Sequence, residues 1–320
     1  MRAYLIRRLL LIVPTLLLVT LAVFFLVRFI PGSVIDLMAS ESQAEAGMGT
    51  QMTPEYLRHA LGLDEPIHLQ YGRWLGRILQ GDFGRSLWTD RPVNADIISR
   101  LPISLELGTM AIVIGMLIAL PIGVYSAIRQ DTAGDYAGRT FAIVLISVPS
   151  FWAATIVVVY PSIWWGWSPP IEYIPLVEDP VENIKQFILP AVIMGTHMSG
   201  TTMRMTRTMM LEVLRQDYIR TAWSKGLRER VVVMRHAVKN ALIPVVTIAG
   251  MMIPVLIGGS VIMEQIFGLP GIGRLVIEAV TKRDYTVISG VNMVVATVVL
   301  LANLLVDLSY AYLDPRVRYG

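Results

Sequence analysis

Nine Lys or Arg lie between Arg204 and Lys239, against only three acids, Glu212, Asp217 and Glu229. This basic stretch sits between two long apolar runs. Within it Leu211, Leu214, Tyr218, Ile219, Ala222 and Trp223 fall largely on one side of a helix spanning Leu211–Trp223. Gly226 then stands where a helix should stop, because Gly takes the left-handed conformation at a helix end without steric cost. A second amphipathic stretch runs from Leu227 to Val238, and Asn240 and Pro244 lead into the next apolar run. The chemistry open to such a segment is docking, not bond-breaking. Two readings fit its spacing: a basic amphipathic pair lying on anionic membrane lipid, or a helix presented to a partner protein.

Residues that could do covalent or metal chemistry are sparse. The chain has no cysteine, which excludes disulfides, thiol nucleophiles and thiolate metal sites. His197 with Ser199 could suggest a protease dyad, but side chains two apart on a helix point away from each other. No G-x-S-x-G or H-E-x-x-H stands anywhere in the chain. His59 and His68 could interest a metal such as nickel, since imidazole suits it, but no third ligand accompanies them. Arg28, Glu106 and Glu264 fall near the ends of apolar runs and form a candidate ion pair at an outer gate. Snorkelling to the interface is the plainer reading. Asp307 lies inside the last apolar run, where a structural ion pair fits better than a proton relay. Met194, His197 and Met198, in a Met-rich run, are candidates for the wall of a pathway, because Met adapts to varied surfaces. Ordinary helix packing explains them as well. No residue calls for a resident cofactor or for nucleic acid.

The elements that must position these residues follow from composition. The chain of 320 residues is 54% hydrophobic and 16% charged, where soluble domains carry about 25% charged residues. Apolar runs long enough to cross a bilayer recur, and only helices and closed barrels satisfy their backbone in lipid. The fold class is therefore all-α polytopic membrane protein. About six spans are expected, near Leu9–Ile30, Ile103–Ile128, Phe141–Trp164, Phe187–Met210, Leu242–Gln265 and Val287–Leu313. The third should be interrupted by Pro149 and Pro161, and the fifth by Pro254. Arg2, Arg7 and Arg8 precede an apolar run too long for a signal sequence, so Leu9–Ile30 reads as a retained anchor.

Charge orients these spans. The segments 1–8, 129–139, 204–239 and 314–320 together carry a net +10, whereas 31–101, 161–186 and 264–285 carry −6. Both termini are expected in the cytoplasm. The first loop, about 70 residues, is then external, and Glu55–Leu61, Leu69–Leu79 and Val93–Ile98 read within it as short helices forming a cap. The Gly/Pro-rich loop Phe267–Gly273 is a candidate re-entrant element, since irregular backbone at membrane depth survives only when buried or lining a cavity.

Particular residues carry a resemblance. Asp217-Tyr218-Ile219-Arg220-Thr221-Ala222, Lys225-Gly226-Leu227, His236 and Asn240-Ala241-Leu242-Ile243-Pro244 closely resemble the EAA loop of ABC-importer permeases, in the version of the peptide/opine/nickel branch. The general motif begins Glu-Ala-Ala, and this chain has Arg220-Thr221-Ala222 there. Arg7-Arg8-Leu9 with Pro14, Arg28-Phe29-Ile30-Pro31-Gly32, Gly81-Asp82-Phe83-Gly84-Arg85-Ser86 and Arg100–Leu107 look similar to that branch too. So do Glu264–Gly273, Arg283-Asp284-Tyr285, Asn303–Asp307 and Asp314-Pro315-Arg316.

The resemblance implies a non-catalytic membrane subunit in a bacterial or archaeal inner membrane. It would pair with a second homologous permease, two P-loop ATPase subunits and an external substrate-binding protein. It implies that Asp217, Tyr218, Arg220, Thr221, Ala222, Lys225, Gly226 and Leu227 couple to an ATPase. The chain has no G-x-x-x-x-G-K-[ST], so ATP and Mg would be bound by the partners. The division expected is an anchor helix at 1–30, an external cap at 31–101, a five-helix core at 102–313 with the coupling loop at 211–244, and a tail at 314–320. Di- or oligopeptides are the expected cargo, with metal chelates, opines, glutathione and oligosaccharides as alternatives. An ion-gradient-driven transporter is the alternative of another class, but such chains commonly show inverted repeats and midplane ionisable groups, and neither is evident.

Overall fold

Lipid leaves backbone groups no water to bond, so each apolar run has to close its own hydrogen bonds as a helix. The computed structural model describes residues 2–29, 64–170 and 172–313. Among them there is no strand, only an isolated bridge between Arg85 and Pro92. In chain order the helices are α1 Arg2–Phe29, α2 Ile67–Leu79, α3 Val93–Ile128, α4 Ala133–Ser147, α5 Ser150–Trp165, α6 Pro180–Leu214 and α7 Asp217–Ser224. A single turn Glu229–Val231 and a π-helical segment Val232–Val238 lead into α8 Lys239–Phe267. Then come α9 Ile272–Thr281 and α10 Tyr285–Leu313.

By length, α1, α3, α6, α8 and α10 each exceed the roughly 20 residues needed to cross a bilayer. By length and apolarity together, Val93–Ile128 and Tyr285–Val306 qualify, as do two bent pairs if each is one span. The first pair is α4 with α5, bent by 82°. Pro149 causes that break: it drives Val148 into extended backbone at φ −88°, ψ 117°. The other expected interruptions do not occur. Pro161 lies inside α5 and Pro254 inside α8 without ending either helix. The separate helix expected at Val93–Ile98 is instead the first turns of α3, which runs unbroken through Pro102. Of the other expected cap helices, Leu69–Leu79 appears as α2, and Glu55–Leu61 lies outside the described residues.

The chain divides into two compact units, Pro102–Arg274 with Leu301–Gly320, and Arg2–Leu101 with Leu275–Leu300. In the first, α6 is the hub against which α4, α5 and α8 pack. Lipid removes the hydrophobic drive between helices, so close approach over small residues must hold them together. A Cβ on Gly195 would meet the Ala111 carbonyl at 2.7 Å, and one on Gly115 the Gly195 carbonyl at 2.9 Å. Ile103, Leu107, Phe187, Ala191 and Met263 form the core around this seam. In the second unit, Phe24 of α1 meets Tyr71 edge-on at 5.2 Å and Trp74 at 5.6 Å, and the Thr20 and Tyr71 hydroxyls are bonded at 2.8 Å. These contacts tie α2 to α1.

Candidate functional site

The basic segment folds as two pieces, not as one continuous helix over Leu211–Trp223. α6 ends at Leu214, Arg215 caps it, and α7 begins at Asp217. α7 ends as its Gly predicts. Gly226 has φ 73°, its N–H donates to the Trp223 carbonyl at 2.9 Å, and the Leu227 N–H donates to the Ala222 carbonyl at 3.4 Å. This paired Schellman closure reverses the chain and satisfies carbonyls the helix leaves open.

The inner face of α7 is Ile219 and Ala222, both buried against Met210, Val232, Val233, Ala237 and Ala241. The Asn240 amide donates to the Tyr218 hydroxyl at 2.8 Å and to the His236 carbonyl at 3.0 Å, fastening α7 to the foot of α8. Arg129 reaches Glu229 at 3.4 Å from the turn after α3. On this base the outer face stands free in the chain: Asp217, Tyr218, Arg220, Thr221, Trp223, Lys225 and Leu227 are exposed. Arg220 lies 3.6 Å from Asp217, an exposed pair that adds little stability. Ala222, expected to couple, is buried on the inner face of α7. The Val232–Val238 segment is π-helical, a form often found at functional sites. Periodicity at 3.6 residues could not have revealed it.

Comparison with known proteins decides the class. The family described as binding-protein-dependent transport system inner membrane component matches residues 119–319, and its N-terminal counterpart matches residues 1–108. The chain belongs to this family. It is 39% identical to the oligopeptide transport system permease protein AppB of Bacillus subtilis, over the whole length of both chains. It is 34% identical to the dipeptide transport system permease protein DppB of Escherichia coli, covering 100% of this chain and 99% of that one. Among solved structures, an inward-facing form of the MetNI methionine ABC transporter matches 68% of this chain and 96% of its own chain, at TM-score 0.56 and 18% identity. That likeness concerns the fold. Family membership makes the chain a multi-pass component of the inner membrane, built as the all-α membrane fold read from its sequence.

Other singled-out residues of this family member fall in three places. Glu264 is fully buried. Its carboxylate accepts from the Ser104 hydroxyl at 2.6 Å and the Arg274 N–H at 3.0 Å, while Ser104 Oγ accepts from the Ile272 N–H at 2.8 Å. Ser104 and Glu264 therefore cap α9 together, across the 86° bend where Gly268 turns at φ 71°. A Cβ on Gly271 would strike the Glu264 carboxylate, and one on Gly273 would lie 2.5 Å from Val261 Cα. Gly271 admits this carboxylate, Gly273 admits the Val261 backbone, and Gly268 supplies the left-handed turn. Glu106 lies elsewhere, beside Asn183 and Tyr173. The side chains of Arg28 and Asp307 lie outside those described, as does His59.

Met194 is buried in the core, Met198 packs partly against it, and His197 is exposed. Ser199 is buried and donates to the Thr196 carbonyl at 2.7 Å, which separates it from His197. Among the described residues no group of three His, Cys, Asp or Glu could hold a metal ion. In the second unit, Gly81–Ser86 and Arg283–Tyr285, 198 residues apart, meet. The Ser86 hydroxyl and the Leu87 N–H donate to Asp284 Oδ2 at 2.6 and 3.1 Å, and Asp284 Oδ1 caps α10 through the Val287 N–H at 3.2 Å.

Sequence reading missed the pair Asp135–Arg207. Asp135 is fully buried, and both its oxygens face Arg207, at 2.8 and 2.7 Å. Ser126 donates to the same carboxylate, as does the Asp131 N–H at 3.1 Å. The Arg207 guanidinium holds the carboxyl far below the carboxylate range against the opposing effect of burial, with help from Ser126 and Asp131. One local signal existed: Thr132 and Asp135 have capping-box spacing, and Thr132 Oγ1 does accept the Asp135 N–H at 3.4 Å.

Proposed function

We propose that this chain is one of two homologous membrane subunits of an ATP-driven importer for di- or oligopeptides, with two ATPase subunits on its cytoplasmic side and an external binding protein delivering cargo. Six spans with both termini inside is the topology proposed, on the charge distribution. The reading of cargo rests on the relatives named for peptide transport, which match the chain end to end. The single observation that carries the ATPase contact is α7: a short helix with a buried apolar face, a closed end at Gly226 and an exposed rim of mixed charge and aromatic residues. A helix held this firmly can transmit a push. Asp217, Tyr218, Arg220, Thr221, Lys225 and Leu227 are the residues proposed to enter an ATPase groove. Gly226 sets their turn and Ala222 seats them. ATP binding in the partners would draw α7 and tilt α6 and α8, to which it is joined.

The deciding experiment is uptake into vesicles holding the complete transporter with its binding protein. ATP-dependent accumulation of a labelled dipeptide is expected, and none above a hydrolysis-dead control would remove the peptide reading. Gly226 tests the coupling. Nothing lies within 4 Å of a Cβ there, so Gly226→Ala suffers only backbone strain, on the order of 1 kcal/mol. Gly226→Pro locks φ near −65° and deletes the bond to Trp223. Its complex should insert normally while peptide uptake falls at least about tenfold, equivalent to about 1.4 kcal/mol at the transition state. Undiminished uptake by that variant would exclude the docking role.

A further inference from the structure

A buried ion pair is a poor source of stability, because the cost of desolvating two charges can exceed their attraction. Asp135 and Arg207 therefore call for a role beyond holding the fold. Asp135 stands in the first turn of α4, and Arg207 lies on α6 about two turns before that helix ends at Leu214. The carboxylate also takes the hydroxyl of Ser126, near the end of α3, and the N–H of Asp131 in the α3–α4 turn. One acid thus fastens three helices and the turn that joins two of them. The helices run close at this level: a Cβ on Gly123 of α3 would lie 2.8 Å from the Met203 carbonyl of α6.

The same turn touches the coupling segment. Ala127, at the end of α3, is buried in one apolar cluster with Ile219 and Ala222 of α7 and with Val232, Val233 and Ala237 of the π-helical segment, and Ile128 packs against that cluster. Beside them Arg129 Nη1 lies 3.4 Å from Glu229 Oε1, on the single turn that follows Gly226. Coupling between distant sites runs through packed side chains, ion pairs and the rigid elements they join. Such a chain leads here from α7 through Ala127 and Arg129 to the turn, then through Asp135 to α4 and to Arg207 on α6. The polypeptide itself joins α7 to α6 and α8. α3 and α4 lie far earlier in the sequence and reach it through this turn.

We infer that Arg129, Glu229, Asp135 and Arg207 are positioning residues of the transport cycle. The first two carry the motion of the cytoplasmic segment into the α3–α4 turn. The other two make α3, α4 and α6 move as one body. This rests on the docking of α7 read above and extends it to two more helices. Were the turn loose, ATP would be hydrolysed without turning α3 and α4.

The test measures ATP hydrolysis and dipeptide uptake together, in proteoliposomes holding the complete transporter and its binding protein. Loss of folded complex lowers the two in proportion, whereas loss of coupling lowers the peptide taken up per ATP. Arg129 and Glu229 are both about half exposed, and such a pair adds little stability. Glu229→Arg should therefore leave the unfolding temperature unchanged and lower the ratio about twofold or more, the range of mutations along a coupling network. Adding Arg129→Glu, which restores the pair with its charges exchanged, should recover it. Asp135→Ala with Arg207→Met, which leaves no buried charge, should lower the ratio about fivefold or more.

An unchanged ratio in Glu229→Arg would overturn the inference. So would a fall that Arg129→Glu does not reverse, which would place Glu229 on the ATPase surface alone. Uptake and hydrolysis falling in proportion in the Asp135→Ala, Arg207→Met complex would make that pair a structural clamp and overturn it too. The Glu229 variants carry the test alone if the buried pair cannot be replaced. Stimulation of hydrolysis by the binding protein gives a readout that needs no peptide, and the same variants should blunt it. The readings fail separately. Undiminished uptake by Gly226→Pro removes the docking of α7, whereas a failing Gly226→Pro beside normal coupling in the Glu229 and Asp135 variants removes only the route through the turn.

Discussion

Asp135→Ala is expected to destabilise this permease by about 3–5 kcal/mol, the cost of stranding one member of a buried ion pair. The wild-type carboxylate is fully enclosed, and its partner Arg207 is only 19% exposed, so the guanidinium would lose both its hydrogen-bond acceptors and keep only the more distant charge of Asp131. The site also loses the acceptor for Ser126 and for the Asp131 N–H. Asp131 stands at φ 59°, a strained conformation held in part by that bond. Asp135→Ala combined with Arg207→Met should cost clearly less than the two single changes added together, because the double variant leaves no unpaired charge. Apparent unfolding temperature of the purified complex measures both, and strict additivity would mean the two residues are not coupled.

The pair also sets a pH dependence. A carboxyl whose pKa is lowered by folding contributes stability that is complete above its ordinary value of 3.8 and lost as pH falls toward the folded value. Stability from this pair should therefore be flat from about pH 6 to 8 and fade only in strong acid. A contribution that disappears near neutral pH would show that Arg207 does not hold Asp135.

The second large effect is expected at Glu264. Glu264→Ala removes the acceptor for Ser104 and for the Arg274 N–H, both inside the protein, and opens a cavity beneath α9. Each unpaired buried group costs about 1–3 kcal/mol, so the two together cost about 2–6 kcal/mol. The bend itself gives a sharper test. Gly271→Ala drives a methyl into the Glu264 carboxylate and should be severe in the wild type. The same change in a Glu264→Ala background should be much milder, because the clash has gone. Thermal unfolding of the four variants closes the cycle, and a Gly271→Ala penalty that ignores Glu264 would refute the capping arrangement.

How much of this was legible beforehand follows from the range of each interaction. Length and apolarity over about 20 residues are local, so the all-helical membrane class was readable in the chain alone. The stop at Gly226 was equally plain, because a left-handed helix end depends on one residue's missing Cβ. Proline was harder to weigh. Pro149 bends the chain and Pro161 does not, since only the first is preceded by a residue turned out of the helical region. The inward face of Ala222 was hidden as well, because one side of an amphipathic helix looks the same whether it meets a partner or its own chain.

Local residue patterns were enough to specify the membrane-spanning class, the basic segment with its closed turn, and the family. Only the packed chain shows which partner each buried acid finds. Ser104 and Glu264 meet across 160 residues, Asp135 and Arg207 across 72. By those encounters Glu264 and Asp135 are consumed, while Glu106 takes its hydrogen bond from the amide of Asn183 on another helix. A carboxylate's type and place in the chain state that it can accept hydrogen bonds. Only the packing of distant helices determines which donors reach it.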